Sequence, residues 1–254
     1  MTSQDADSYY VRSKQKLMKS FDKRAGAARK VLTSRYGAQP ADTILREARQ
    51  RYEVLIHHLP HVGEKNIFLG NLIQSAAALA LYEVLKRYGK TVEEAGKILY
   101  DLVEEHVHRY PRFLLRRVAG LRFSTRRLKK HAAESQERRH PGNWVFTFVE
   151  DGGEDGEKEF DFGLDFTECA ICKFYHARGA DEFTPYVCLL DFPLCQACSM
   201  GMVRTMTLAE GHAKCDFRYR RSGKTGPGWP PVFAGSREDG QPRSPRVAAS
   251  EKED

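Results

Sequence analysis

Phe160-Asp161-Phe162-Gly163-Leu164-Asp165-Phe166 alternates apolar with polar or small residues at a period of two. Successive side chains of an extended chain point to opposite faces, so this run reads as a strand with one buried face. Ahead of it, Trp144-Val145-Phe146-Thr147-Phe148-Val149 is rich in aromatic and β-branched residues, which pack well on a pleated surface. Asp151-Gly152-Gly153-Glu154-Asp155-Gly156 between them reads as a turn, and the three segments predict an antiparallel hairpin. Two more strands are expected at Met202 to Leu208 and at Cys215 to Arg220. A helical, cysteine-rich stretch, 168 to 200, lies between the strand pairs.

Upstream of Pro141-Gly142 the period changes from two to that of a helix. A frayed start and one helix are expected in the basic first 30 residues. Ile44, Leu45, Ala48, Tyr52, Leu55 and Ile56 then recur at three and four, on one helical face. Pro60 and Gly63 end that helix. Asn71 is expected to cap the next, whose Leu72, Ile73, Ala76, Ala77, Leu79, Ala80, Val84 and Leu85 make it apolar on most sides and therefore central. Gly89 suits its C′ position. Thr91-Val92-Glu93-Glu94 matches a capping box for a third helix, which stops near Tyr110-Pro111. A basic helix is expected from Pro111 to His131.

These readings define an α+β fold: a helical N-terminal layer packed against a small antiparallel sheet that carries a cysteine-rich helical insertion. The expected divisions are a basic, partly helical segment 1–39, a helical half 40–140, a sheet and cysteine-rich half 141–221 of the same unit, and a disordered tail 222–254 rich in Pro, Gly and charge.

Composition narrows the function. The 254 residues include 14 Phe and 11 Tyr, enough aromatics to exclude a wholly disordered chain. The longest uncharged stretch, Asn66 to Tyr82, contains Asn66, Asn71, Gln74 and Ser75. It is too short and polar to cross a bilayer, which takes about 20 apolar residues. MTSQDADSYYVRSKQK has no apolar core of a signal peptide, so a cytoplasmic setting with reduced cysteines is expected. The net charge of +7 points weakly to an anionic partner. Ten Lys/Arg against two acids between 111 and 140 raise the question of nucleic acid. That stretch lacks interleaved exposed aromatics and any reading motif, and a solvated helix face opposite the acidic 150–161 segment explains it better.

All six cysteines lie between 169 and 215. Cys169-x-x-Cys172 and Cys195-x-x-Cys198 have the spacing of a four-cysteine zinc site, although both pairs sit in apolar, helix-like sequence (ECAICKFY and PLCQACSM). The plainer reading is buried thiols acting as small hydrophobes.

Residues 40 to 220 resemble the L-2-amino-thiazoline-4-carboxylic acid hydrolase family. The resemblance is carried by Asp165-Phe166-Thr167-Glu168-Cys169, Val187-Cys188-Leu189-Leu190-Asp191, Arg204-Thr205-Met206-Thr207-Leu208-Ala209-Glu210-Gly211 and Cys215-Asp216-Phe217-Arg218-Tyr219. In the helical half it rests on Leu59-Pro60-His61-Val62-Gly63, Gly70-Asn71-Leu72 and Gly96-Lys97-Ile98-Leu99-Tyr100. It singles out Cys169, Cys188 and Cys215, while Cys172, Cys195 and Cys198 depart from the family's pattern. It implies a hydrolase that opens a small cyclic amidine by adding water.

Two mechanisms remain open at this level. A thiolate attacks the C=N carbon and water resolves the adduct, with His176 and His212 as candidate bases. Alternatively, Cys169, Cys188 and Cys215 hold zinc or an iron–sulfur cluster with one open position; no cofactor is needed in the first case. The expected catalytic residues are Cys188, Asp191, His212 and Glu210. Arg204 and Thr207 are expected to bind a carboxylate-bearing, anionic small molecule. The rival class is a non-enzymatic zinc or iron–sulfur module built on the CxxC pairs. A pocket is expected between the helical half and the cysteine-bearing sheet edge.

Overall fold

A computed structural model describes residues 9–151 and 159–231. The helical layer comprises α1 (Tyr9–Arg12), α2 (Lys14–Tyr36), α3 (Ala38–Ile56), α4 (Leu69–Arg87), α5 (Val92–Val107), α6 (Arg112–Arg122) and α7 (Thr125–Gln136). The uncharged sequence of α4 puts it at the centre, packed on α3 and α5, with Leu72, Ala76, Leu79, Ala80, Val84 and Leu85 fully buried. Its end is set by Gly89 in the left-handed region (φ +71°) and by Lys90 N–H donating to Leu85 O at 3.0 Å. Thr91 then caps α5 as expected, its Oγ1 accepting from Glu94 N–H at 3.1 Å.

Two helical expectations are corrected. The basic helix expected at Pro111–His131 is two helices. Phe123 between them leaves the helix to pack against Phe162 and Tyr219, and extended Ser124 starts the next. Asn71 does not cap α4, which begins two residues earlier; its Oδ1 instead accepts from Arg122 Nη2 at 2.5 Å.

The sheet contains β1 (Val145–Val149), β2 (Phe162–Glu168), β3 (Gly201–Val203) and β4 (Cys215–Arg220), all antiparallel in the order β1-β2-β4-β3. The period of two is realised: Phe162, Leu164 and Phe166 of β2 and Cys215, Phe217 and Tyr219 of β4 face the core. Phe162 stacks on Tyr219 at 4.9 Å, and Phe68 from the helical layer meets Trp144, Phe146 and Phe166 at 5.5 Å each. The third strand is shorter than the expected Met202–Leu208. After Val203 the backbone N–H groups of Thr205 and Met206 donate to Asp216 Oδ1 at 2.9 and 2.6 Å, so the Asp216 carboxylate replaces the ladder.

The insertion between β2 and β3 carries α8 (Ala170–His176), α9 (Thr184–Cys188) and α10 (Asp191–Ala197). The architecture is therefore α+β. Residues 152–156 of the expected turn and residues 232–254 of the expected tail lie outside the described residues. The chain stays packed past Ser222: Thr225 Oγ1 donates to Met200 O at 2.6 Å, and Trp229 lies against Tyr100 and Tyr186. Of the basic stretch, Lys129 pairs with Glu150, so the two oppositely charged segments meet there. Among the described residues no helix is long and apolar enough to cross a membrane.

Candidate active site

Antiparallel pairing of β2 with β4 sets Phe166 opposite Cys215, so Cys169, just past the end of β2, and Cys215, at the start of β4, lie at the same end of the sheet. Cys172 follows in the first turn of α8. Cys188 closes α9, Cys195 lies in α10 and Cys198 caps its end. All six thiols line one cavity of about 520 Å³ between the helical layer and the sheet, within the roughly 300–1,000 Å³ of small-molecule sites. Its walls are mostly apolar. Its polar lining, which includes Arg24, Asn71, Gln74, His106, Arg122, Asp191 and Arg204, comes from both halves of the chain.

The thiols are not equivalent. Cys169 Sγ accepts a hydrogen bond from the Cys172 thiol and others from the backbone N–H groups of Cys172 and Ile171 and from the Trp144 side chain; against the opposing effect of burial these hold it down to about 7. The same hydrogen bond, with burial, pushes Cys172 well up. Burial also raises Cys188 well above the thiol range. It takes Cys215 to about 12, although Leu208 N–H donates to its Sγ at 3.2 Å. Cys169 is the one thiol of the three family cysteines held as a thiolate near neutral pH.

Beside them, Arg204 Nη1 donates to Asp191 Oδ2 at 2.9 Å and Nη2 to Cys188 O at 3.1 Å. Burial opposes the charge of the guanidinium, but Asp191 together with Cys188, Cys215 and Tyr219 more than offsets it. Burial raises the Asp191 carboxyl, with Arg204 opposing; about a third of its side chain remains accessible, and it lines the cavity. Arg122, expected on a solvated surface, instead reaches inward. Its Nη2 donates to Ile67 O at 3.0 Å and to Asn71, and burial lowers its basicity.

Cys169, Cys188, Cys215, Asp191 and Arg204 are thus brought together. Thr207, Glu210 and His212 are not among the residues lining the cavity. They form a turn closed on itself: Glu210 N–H donates to Thr207 Oγ1 at 3.1 Å, Thr207 Oγ1 lies 2.7 Å from Glu210 Oε2, and His212 N–H donates to Thr207 O at 3.1 Å. The turn's tie to the site is Leu208 N–H on Cys215. His176 is exposed and pairs with Asp181 at 2.9 Å. Sequence reasoning did not single out Arg122, Gln74 or Trp144 for the site. Asn71 was read only as a cap, and its place in Gly70-Asn71-Leu72 was the available signal.

Among the described residues no group of three or more His, Cys, Asp or Glu is placed to hold a metal ion. The sulfur donors are engaged one by one: Cys169 with Cys172 and Trp144, Cys195 with Met202 Sδ at 3.7 Å, and Cys215 with Leu208. This arrangement gives no support to the zinc or cluster reading, and nothing below is routed through one.

No curated protein and no solved structure matches the chain. The family model described as L-2-amino-thiazoline-4-carboxylic acid hydrolase matches residues 70–219, a span that holds every residue of the cavity's cysteine end. With well over half its length matched, the chain belongs to the L-2-amino-thiazoline-4-carboxylic acid hydrolase family.

Proposed function

We propose that the protein opens a small cyclic amidine bearing a carboxylate, a thiazoline-carboxylate-like compound, with Cys169 as nucleophile. The observation that carries this reading is Cys169 at the wall of the cavity, its thiol lowered to about 7 by the neighbouring Cys172, Ile171 and Trp144. A thiolate so held is nucleophilic at neutral pH. Its sulfur adds to the amidine carbon, and the C=N electron pair moves to nitrogen, which takes a proton. Asp191 suits the donor role, since burial favours its protonated form. The ring bond at the same carbon then breaks, with its heteroatom leaving as the protonated group. Water attacks the remaining thio-adduct and expels the Cys169 thiolate, so the net change is addition of one water.

Arg24, Arg122 and Arg204 line the cavity together with Asp191, so its lining carries more positive than negative groups. Arg204 is occupied by Asp191 and Cys188. Arg122, held by Ile67 O and Asn71 through Nη2 at the cavity wall, is assigned as the clamp for the substrate's carboxylate, and Arg204 as a positioning residue for Asp191. Cys188 and Cys215, raised by burial, complete the wall.

The test is ring opening of L-2-amino-thiazoline-4-carboxylate by the purified, reduced chain. Turnover by the wild type that is lost in Cys169→Ser is the expected result. Turnover that survives Cys169→Ser, or no turnover of this compound and its cyclic amidine relatives, overturns the reading.

A further inference from the structure

The two CxxC pairs look alike in sequence but not in structure. Cys195 and Cys198 are each raised by burial, and Cys195 is turned to Met202. Cys169 and Cys172 face each other. Cys169 sits in extended backbone (φ −125°, ψ 121°) immediately before α8, and Cys172 follows one turn later. Each thiol alters the other's hold on its proton, and both residues line the cavity. Residues three apart across a helical turn hold their Cβ atoms about 5–6 Å apart. A small backbone adjustment at extended Cys169, with rotation of both sulfurs about their Cα–Cβ bonds, brings the pair to disulfide geometry, with Cβ atoms roughly 3.5–4.5 Å apart.

We propose that Cys169 and Cys172 act as a dithiol that reduces small, carboxylate-bearing disulfides inside this cavity, closing a Cys169–Cys172 disulfide. This rests on the reading of Cys169 as the attacking thiolate and adds a second reaction to it. In the first step the Cys169 sulfur attacks one sulfur of R–S–S–R. A Cys169–S–S–R bond forms, the substrate's S–S bond breaks, and R–S⁻ leaves. In the second, Cys172 gives its proton to that departing thiolate and attacks the Cys169 sulfur. The second R–S⁻ is expelled and takes a proton from water. Two electrons pass from the dithiol to the disulfide, yielding two small thiols and one protein disulfide. Once Cys169 is in mixed disulfide its negative charge is gone, and with it an effect that holds the Cys172 proton in place. Arg122 supplies the preference for a carboxylate, as it does in ring opening.

The choice of Cys172 as the resolving thiol follows from proximity. Cys188 and Cys215 share the wall but come from distant stretches of chain, whereas Cys172 lies one turn from Cys169.

The experiment uses the fully reduced full-length chain, held without oxygen and mixed with 3,3′-dithiodipropionate or neutral 2-hydroxyethyl disulfide. Thiols are counted and the peptide spanning both cysteines is mapped. The expected result is loss of two of the six thiols, a Cys169–Cys172 disulfide, and faster loss with the carboxylate-bearing probe. Cys172→Ser, or Cys172→Ala should the serine fail to fold, is expected to stop at a mixed disulfide on Cys169. No thiol loss, a disulfide between other cysteines, or two thiols lost by the Cys172 variants overturns the proposal. A reduced wild type that opens the thiazoline but forms no such disulfide sinks this inference alone. One that forms the disulfide but opens no ring sinks the hydrolytic reading alone.

Discussion

Arg204 Nη1 lies 2.9 Å from Asp191 Oδ2, with the guanidinium over the rings of Phe192 and Phe217 and only 5% of its side chain exposed. A cation so removed from water is tolerated because its donors are taken up by Asp191 and by Cys188 O. The pair ties the strand exit after β3 to the first turn of α10, and so fixes the wall that carries Cys188 and Asp191.

Breaking that pair is expected to destabilise the fold. Removing one partner of a buried pair costs about 3–5 kcal/mol, and Arg204→Met should cost about 2–3 because Asp191 keeps a cavity-facing side and can take up a proton. Asp191→Asn leaves the more deeply buried Arg204 without its counter-charge, so it should cost at least as much and also lower ring opening. Urea unfolding of both single variants and the double variant measures the coupling. Costs that simply add would show that the contact contributes nothing.

The pH dependence of alkylation distinguishes the thiols. Cys169 at about 7 and Cys215 at about 12 place the Cys169 thiolate well below the other in pH. Iodoacetamide at pH 8 should label Cys169 before Cys188 or Cys215, with the rate rising through about pH 7. The sign for stability follows from the lowering. The contribution of this thiolate is fully present above the ordinary thiol value of 9.0 and is lost as the pH falls through about 7. Peptide mapping after short labelling decides; first label on Cys188 would contradict the site's electrostatics.

Trp144→Phe keeps a ring against Phe68 but removes the N–H that reaches Cys169. The alkylation midpoint of Cys169 should move upward, and ring opening near neutral pH should fall while its rate at high pH recovers. An unchanged midpoint would make Trp144 a packing residue only.

Arg122→Met should raise KM for a carboxylate-bearing amidine with kcat nearly unchanged, because binding common to ground and transition states is lost. The decarboxylated analogue should not feel the substitution. Equal effects on both compounds would remove Arg122 from substrate recognition.

Two of the three motif glycines of the helical half, Gly70 and Gly96, should behave differently. A Cβ on Gly96 would sit 2.7 Å from Tyr186 Cγ, in the helix that ends at Cys188, whereas one on Gly70 meets nothing within 4 Å. Overpacking of this kind costs about 1–3 kcal/mol, so Gly96→Ala should lower thermal stability and disturb the Cys188 wall. Gly70→Ala should be close to neutral. Thermal unfolding of the two variants makes the comparison.

What could be read from the sequence depended on whether a signal was local. The alternation in Phe160–Phe166, the capping box at Thr91 and the turn at Gly89 are properties of a few neighbouring residues, and each appears as expected. The end of β3 is not local: it is decided by Asp216, which lies beyond the strand in sequence and captures two N–H groups. The inward turn of Arg122 is likewise invisible, since it depends on Phe123 abandoning a helix whose sequence looks continuous. Cys169, Cys188 and Cys215 were legible as a group only through the family resemblance; the strand register that sets Cys215 beside the end of β2 was not. Nothing local distinguished the donor-rich surroundings of Cys169 from the apolar ones of Cys188. For Thr207, Glu210 and His212 the residue types alone gave no sign that they would bond mainly to one another.

The stretch from Ser222 to Pro231 has a practical consequence. Thr225 holds Met200, Gln196 Nε2 donates to Gly226 O at 2.7 Å, and Trp229 rests on Tyr100 and Tyr186. These few residues act as a strap fastening the outside of the cysteine segment to α5. A shortened protein cut where composition turns rich in proline and glycine would lose the strap while retaining every thiol, and its failure would then be blamed on the chemistry instead of on the missing buckle.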